Sequence, residues 1–293
     1  MSEIGKVAVI GAGTMGAQIA SLTALSGRTV TLWDASDQAL AAGLSRAEQD
    51  IFPNLGIARG IHAADLGSAL GRLSAAGSLA EAIDGADLVI EAVREELGVK
   101  QAVFSELSRM TPAILSTNSS SIPSSLIAPA VERPERLLNT HFFAPIWVRS
   151  MLELMTCGET SDEVMRTAYD FGVSLGLVTA IVNGESKGFI INRIWRAVKR
   201  ESLRVVDEGV ATPEDVDRLW MMFFQTQYAP FGIAHQLAAV YPDCIRRGRR
   251  GSRHLVGKPP CIGGDEHHQR DGDEGKTSCM ASGRATRLRG PTD

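Results

Sequence analysis

Residues 6–16 read KVAVIGAGTMG, a β-branched run that leads directly into a glycine-rich loop. Continuous apolar runs of this length are typical of strands buried in a parallel sheet. The loop is followed by AQIASLTALSG, whose alanine-rich composition favours a helix. The stretch therefore predicts a strand, a tight turn and a helix, the opening unit of a doubly wound α/β fold.

The same alternation continues to about residue 156. Short apolar runs predict further strands, which read TVTLWD, LVIEAV, ILSTNS, LLNTHFF and MLELM. Longer segments between the early runs, such as KQAVFSELSRM, have helical length and composition. We predict a Rossmann-like, doubly wound and mostly parallel sheet, followed by a smaller all-helical C-terminal domain.

Composition divides the chain into three segments. Residues 1–183 carry the strand and helix alternation and form the predicted Rossmann-like domain, with LVTAIV as one more short strand. Residues 184–241 predict an incomplete helical domain, with one long helix stopped at Gly209 and the next capped by Thr212. Residues 242–293 contain no Phe, Trp or Tyr and show no helix or strand period, which predicts an aberrant or disordered tail.

Composition also limits the partners and the compartment. A formal net charge of -4 gives no reason to expect a nucleic acid partner, and no apolar run approaches the length of a membrane span. The first residues lack the features of a secretory signal. Of the four cysteines only Cys157 lies in the regular part of the chain, which favours a reduced, cytoplasmic protein. The remaining cysteines lack metal-ligand spacing, so no metal site is predicted.

The glycine loop and a following acid predict a dinucleotide site. The first glycine permits the tight turn, the second lets the backbone approach a pyrophosphate, and the third lets the helix pack on the strand. An aspartate ends the second strand, where its carboxylate can accept from the ribose hydroxyls, and no arginine follows it, which favours NAD over NADP. A structural turn without a ligand is the alternative. The predicted cofactor-binding residues here are Gly11, Gly13, Thr14, Met15, Gly16 and Asp34.

Five motifs in order resemble those of the 3-hydroxyacyl-CoA dehydrogenase family, including its short-chain 3-hydroxybutyryl-CoA members. The motifs are GAGTMG, DLVIEAVREELGVK, STNSSS, NTHFFAP with LEL, and KGFIINR. The resemblance runs from about residue 6 to residue 233. It implies an NAD-dependent enzyme of fatty acid metabolism that acts on a small molecule and forms a homodimer if its C-terminal domain is intact. The implied reaction is reversible oxidation of the 3-hydroxy group of a short 3-hydroxyacyl-CoA.

The resemblance implies that His141 is the catalytic base and Glu153 its carboxylate partner. Oxidation of a secondary alcohol needs a group that takes the hydroxyl proton, and imidazole exchanges protons near neutral pH. A buried glutamate would orient the ring and stabilise the imidazolium. The alternative is a core histidine beside a surface-facing strand glutamate.

Four further residues receive roles from the resemblance. Ser120 and Asn192 would contact the reacting oxygen of the substrate, where a hydroxyl and an amide stabilise developing charge. Glu95 and Lys100 would line the nicotinamide half of the cofactor site. The alternatives are a serine-rich turn, a polar helix residue and a charged helix start that faces solvent.

Two departures from the family pattern open other functions. Ala144 stands where the family usually has an asparagine that helps to hold cofactor and substrate. A hydroxy-acid dehydrogenase that needs no CoA, similar to those acting on L-gulonate or carnitine, is therefore the alternative enzyme. The resemblance also ends after Ile233, which suggests a shifted reading frame or an unrelated fusion beyond it. A catalytically impaired NAD-binding protein is the non-enzymatic alternative.

Overall fold

A computed structural model describes residues 4–232 and shows one eight-stranded sheet. The strands are β1 (Lys6–Ile10), β2 (Thr29–Trp33), β3 (Leu73–Ala75), β4 (Leu88–Glu91), β5 (Ile114–Thr117), β6 (Leu137–Phe142), β7 (Met151–Thr156) and β8 (Val178–Val182). Their spatial order is β3-β2-β1-β4-β5-β6-β7-β8. The first six are parallel, β7 is antiparallel to β6, and β8 is parallel to β7. The predicted doubly wound, mostly parallel sheet is confirmed.

Helices connect the strands and follow the sheet. They are α1 (Thr14–Leu25), α2 (Asp37–Arg46), α3 (Phe52–Arg59), α4 (Ala63–Leu70), α5 (Leu79–Ile83), α6 (Leu97–Met110), α7 (Asp162–Ser174), α8 (Ile191–Asp207) and α9 (Pro213–Phe224). A π-helical turn, Ala47–Ile51, joins α2 to α3. The side chain of Thr212 accepts a 3.2 Å hydrogen bond from the backbone N–H of Asp215, which confirms the predicted cap of α9.

The long helix predicted from KGFIINR begins later than its sequence suggests. Gly188 and Phe189 have φ angles of 88° and 51°, in the left-handed region. A helix cannot pass through two such residues, so α8 begins only at Ile191. Its predicted stop is confirmed, because Gly209 has a φ of 71° just beyond the helix.

Alternate residues of β1 supply two separate cores. Val7 and Val9 belong to the cluster that includes Ile19 of α1, whereas Ala8 and Ile10 belong to the one on the opposite face. The period of two along a strand sends successive side chains to opposite faces. Helices therefore cover both faces of the sheet around β1, and a site is expected at the ends of these strands.

The carboxyl ends of β1, β4, β5 and β6 meet at one edge of the sheet, because these neighbouring strands are parallel. The strand order reverses at β1, whose neighbours are β2 on one side and β4 on the other. Ligands of such sheets bind in the crevice at this reversal. Each motif up to His141 covers or directly follows β1, β4, β5 or β6, and the first two extend into the first turns of α1 and α6.

The predicted boundary at residues 183 and 184 falls in the loop between β8 and α8, and the division into domains stays a prediction. The tail at residues 242–293 lies outside the described residues, as does the segment beyond Ile233 that the frame-shift hypothesis concerns. Among residues 4–232, none of the helices is both long and apolar enough to cross a membrane.

Candidate active site

The three glycines of the loop after β1 differ in how much space a side chain would have. Gly11 has a φ of 105°, and a Cβ added there would lie 2.7 Å from the carbonyl oxygen of Ala92. A Cβ at Gly16 would collide with the carbonyl oxygen of Gly11. A Cβ at Gly13 would meet no atom within 4 Å. The fold therefore requires the first and third glycines, and the second leaves open space that a ligand can use.

That open space lies at the start of α1. Gly13 is the N-cap, no side chain caps the helix, and its first turn contains no acid. The first N–H groups of a helix have no partner within it, and its dipole attracts anions. Thr14, Met15 and Gly16 form this turn. The donors and the space fit the diphosphate of a dinucleotide.

Two charged side chains hold the peptide groups of Ala12 between the first two glycines. Asp34 accepts from the backbone N–H of Ala12 through Oδ2 at 2.8 Å and from that of Ser36 through Oδ1 at 2.9 Å. Nη2 of Arg46, at the end of α2, donates to the carbonyl oxygen of Ala12 at 2.7 Å. Asp34 thus stands beside the loop at the end of β2, where a ribose would lie, with lone pairs left to accept from hydroxyls. Sequence reasoning missed Arg46 as a site residue; its only signal was a basic residue in the last turn of α2.

We expect the variant Arg46→Met to weaken NADH binding about tenfold, because a hydrogen bond from a charged group contributes about 1.5–3 kcal/mol. Without the guanidinium the carbonyl of Ala12 is free to rotate, and the loop is no longer preorganised. Titration by NADH fluorescence measures the change. Arg133→Met is the matched control, since Arg133 forms an ion pair with Glu135 on the surface. Equal affinities for the two variants would contradict the role of Arg46.

His141 and Glu153 face each other across the antiparallel pair β6 and β7, in register. Nδ1 of His141 lies 2.9 Å from Oε2 of Glu153. The two residues are 6% and 3% exposed. The surface-facing alternative for Glu153 is therefore wrong.

Glu153 also binds the start of α8. Its Oε1 accepts from the backbone N–H groups of Ile190 and Ile191, at 3.0 and 2.9 Å. Phe189 packs on the ring of His141 with centroids 4.7 Å apart, and Phe143 approaches the same ring to 4.2 Å. Carboxylate and rings together fix the orientation of the imidazole. The contribution of Phe189 was missed in the sequence. The glycine before it in KGFIINR was the one indication that the chain turns here before the helix begins.

Lys100 is completely buried among acidic side chains. Its Nζ lies 2.8 and 3.0 Å from the two carboxylate oxygens of Glu91 and 3.3 Å from Oε2 of Glu95. Burial raises the pKa of Glu91, and Lys100 and Thr117 partly offset that rise. The solvent-facing alternative is wrong for Lys100. Glu91 was missed, although an acid at the end of the apolar run DLVIEAV was a signal.

Glu95 binds the loop that follows β5. Its Oε1 accepts from the hydroxyl of Ser119 and, at 2.8 and 3.1 Å, from the hydroxyl and backbone N–H of Ser121. Burial opposes ionisation of Glu95, but Ser119, Lys100 and Ser121 together hold its pKa below the usual range. Ser120 lies between the two bound serines and is partly exposed.

The remaining predicted residue, Asn192, lies in the first turn of α8, directly after the two N–H groups that Glu153 binds. Asn192 is partly exposed. The roles of Ser120 and Asn192 at a substrate oxygen stay predictions. Over the described range 4–232, no group of three or more His, Cys, Asp or Glu side chains could hold a metal ion.

Two family models match the chain. The model for the NAD binding domain of 3-hydroxyacyl-CoA dehydrogenase matches residues 6–185. The model for the C-terminal domain of the same family matches residues 188–247, and so extends beyond Ile233.

Known proteins and solved structures agree with these models. A probable 3-hydroxybutyryl-CoA dehydrogenase of Bacillus subtilis is 33% identical over 238 residues, which are 79% of this chain and 80% of the relative. The crystal structure of (S)-3-hydroxybutyryl-CoA dehydrogenase from Ralstonia eutropha is 28% identical with a TM-score of 0.74, covering 87% of this chain and 94% of that one. An L-carnitine dehydrogenase of Mesorhizobium japonicum is 28% identical over 272 residues, 89% of this chain and 70% of the relative.

Proposed function

This chain belongs to the 3-hydroxyacyl-CoA dehydrogenase family, and from that premise we propose that it oxidises the 3-hydroxy group of a short 3-hydroxyacyl-CoA. The cofactor is NAD, as the family's NAD binding domain indicates. The reverse reaction reduces a 3-oxoacyl-CoA. The buried His141–Glu153 pair carries the proposal, because it provides an oriented base at the edge of the sheet where the glycine loop lies.

His141 takes the hydroxyl proton. The carboxylate of Glu153 can only accept a hydrogen bond, so Nδ1 of the neutral ring carries a proton and Nε2 has the free lone pair. As Nε2 accepts the proton of the alcohol, the ring becomes cationic and Glu153 stabilises it. When bound, NAD supplies the acceptor for the hydride that leaves the same carbon.

Glu153 is suited to this task because it remains an acceptor. The two N–H groups at the start of α8 donate to its Oε1 and leave Oε2 facing Nδ1 of His141. Ser120 and Asn192 act at the other side of the reacting oxygen, where their hydroxyl and amide donors stabilise negative charge during reduction.

The first test is NADH oxidation by the purified protein with acetoacetyl-CoA, beside a panel of free 3-oxo acids. Turnover of the thioester alone supports the proposed substrate. Turnover of a free acid alone assigns the chain to the CoA-independent hydroxy-acid dehydrogenases. NADH binding without any turnover identifies the catalytically impaired protein.

The CoA-independent alternative has a specific observation in its favour. Ala144 is exposed immediately after the HFF of the β6 motif, and it has no side-chain amide to offer a ligand. The similarity to an L-carnitine dehydrogenase keeps a small hydroxy acid in consideration.

We expect Ala144→Asn to raise kcat/KM for acetoacetyl-CoA about tenfold. One added hydrogen bond contributes about 1.4 kcal/mol, which corresponds to this factor. The amide would provide the donor that the family pattern has at this position. Ala80→Asn, at an exposed position in α5, is the control. Gain of activity toward a free acid only would favour the alternative substrate class.

We also propose a cytoplasmic homodimer that needs neither nucleic acid nor membrane. Cysteine usage supports the reducing compartment. The end of α9 exposes Met222, Phe223 and Phe224 by 76%, 81% and 55%, which supports burial against a second copy. Light scattering of the purified protein gives the mass, and a monomer at all concentrations would contradict the dimer.

A further inference from the structure

Lys100 joins three segments at the carboxyl edge of the sheet. Glu91 ends β4, Glu95 lies in the next loop, and Lys100 lies in α6. Glu91 also reaches β5, since Thr117 Oγ1 donates to its Oε2 at 2.6 Å and the backbone N–H of Asn118 donates to its carbonyl oxygen at 2.7 Å. The loops after β4 and β5 are therefore tied together by one group of charges, in which Glu91 and Lys100 are fully buried and Glu95 is exposed.

Stability alone does not explain why charged side chains are buried at this position. Lys100 and Glu91 have fully buried side chains, and removing two charges from water costs about as much as their attraction returns. An apolar pair of similar volume would serve the core as well. A buried charged network is better explained by the geometry that it imposes on its neighbours.

In this protein the charged network fixes the geometry of the loop that contains Ser119, Ser120 and Ser121. Glu95 receives hydrogen bonds from the residues on both sides of Ser120, and Lys100 holds the other oxygen of Glu95. With both neighbours fixed, the backbone of Ser120 has little freedom to move.

We propose that Glu91 is a positioning residue, which through Lys100 and Glu95 fixes Ser120 toward the reacting oxygen of the substrate. This inference rests on the proposed function, in which Ser120 contacts that oxygen. Glu91 itself needs no contact with substrate or cofactor, and Lys100 acts through Glu95 instead of binding the cofactor with its ammonium group. Loss of the Glu91 charge lets Lys100 draw Glu95 away from the serines.

The test is a double-mutant cycle on Glu91→Gln and Ser120→Ala, with kcat for acetoacetyl-CoA and the Kd of NADH measured for each protein. We expect Glu91→Gln to lower kcat roughly ten- to hundredfold, because small misplacements of a catalytic group have effects of this size. The Kd of NADH should change less than about threefold. In the Ser120→Ala background, Glu91→Gln should have almost no further effect on kcat, since the two residues act as one unit. Glu106→Gln, exposed on α6, is the matched control.

Ser121→Ala serves as a second variant, because it removes one hydrogen bond from the loop to Glu95 and leaves the buried Glu91–Lys100 pair unaltered. It should show the same loss of kcat and the same coupling to Ser120→Ala, even where Glu91→Gln fails to fold. Equal losses in both backgrounds would overturn the inference and leave the proposed function intact. A wild type that reduces only a free acid would change the substrate of the proposed function, and the same cycle would then be measured with that acid. If Ser120→Ala itself has no effect on kcat, the inference is wrong.

Discussion

Replacing Gly13 with valine is expected to abolish NADH binding and leave the fold intact. The position has a φ of -65°, which any residue adopts, and a Cβ there would meet no protein atom within 4 Å. The side chain would instead fill the space over the first turn of α1. Loss of two charge-assisted hydrogen bonds to the diphosphate, each about 1.5–3 kcal/mol, weakens binding by at least about hundredfold. NADH fluorescence and thermal denaturation measure the two properties.

Two other glycines make this experiment specific. Gly67→Val is the matched control, because a Cβ at Gly67 in α4 also meets open space. It should keep the affinity for NADH. Gly16→Val should instead lower the melting temperature, since its Cβ collides with the backbone of Gly11. If Gly13→Val bound NADH as tightly as the wild type, the diphosphate could not lie over α1.

The second large effect is expected for His141→Gln, with kcat reduced about 10²- to 10⁴-fold, the usual contribution of a general base. Glutamine can still occupy the space between Phe143 and Phe189, but its neutral amide cannot take a proton from the alcohol. NADH affinity should be unchanged, because the glycine loop lies on a different strand. Steady-state kinetics with acetoacetyl-CoA and NADH fluorescence provide both values.

His62→Gln is the control for that variant, since His62 is exposed at the start of α4. It should retain wild-type kinetics. If His141→Gln kept its kcat and lost only thermal stability, His141 would be a core histidine held by Glu153, and a different base would be needed.

Much of the fold follows from local patterns, and the exceptions have physical reasons. The strand before the glycine loop, the helix after it and the cap of α9 depend on residues close in sequence. β3 has only three residues, Leu73–Ala75, with a single long apolar side chain, so its sequence pattern did not predict a strand. The antiparallel direction of β7 was equally invisible, because apolar periodicity is the same in both directions.

The candidate site likewise contains residues that the sequence predicted and residues that it did not. Family motifs pointed to His141 and Glu153, and the structure brings these two side chains together. Arg46 and Glu91 were missed as site residues because their meaning depends on contacts between distant segments. Arg46 donates to a carbonyl 34 positions earlier, and Glu91 accepts from a hydroxyl 26 positions later. The run DLVIEAV marked Glu91 as an acid in an apolar strand, but a single sequence does not show which distant residue either side chain contacts.

The bond between Glu153 and the start of α8 limits how the enzyme can be divided. A gene fragment ending at residue 185, where the first family model ends, would encode the glycine loop, the sheet and both members of the dyad. It would lack Ile190 and Ile191, and one oxygen of Glu153 would lose both of its donors. Leaving such a group unsatisfied costs about 1–3 kcal/mol, or more when it is charged. We therefore expect such a fragment to carry the cofactor site into a chimera, and the proposed proton transfer to require the helix that follows.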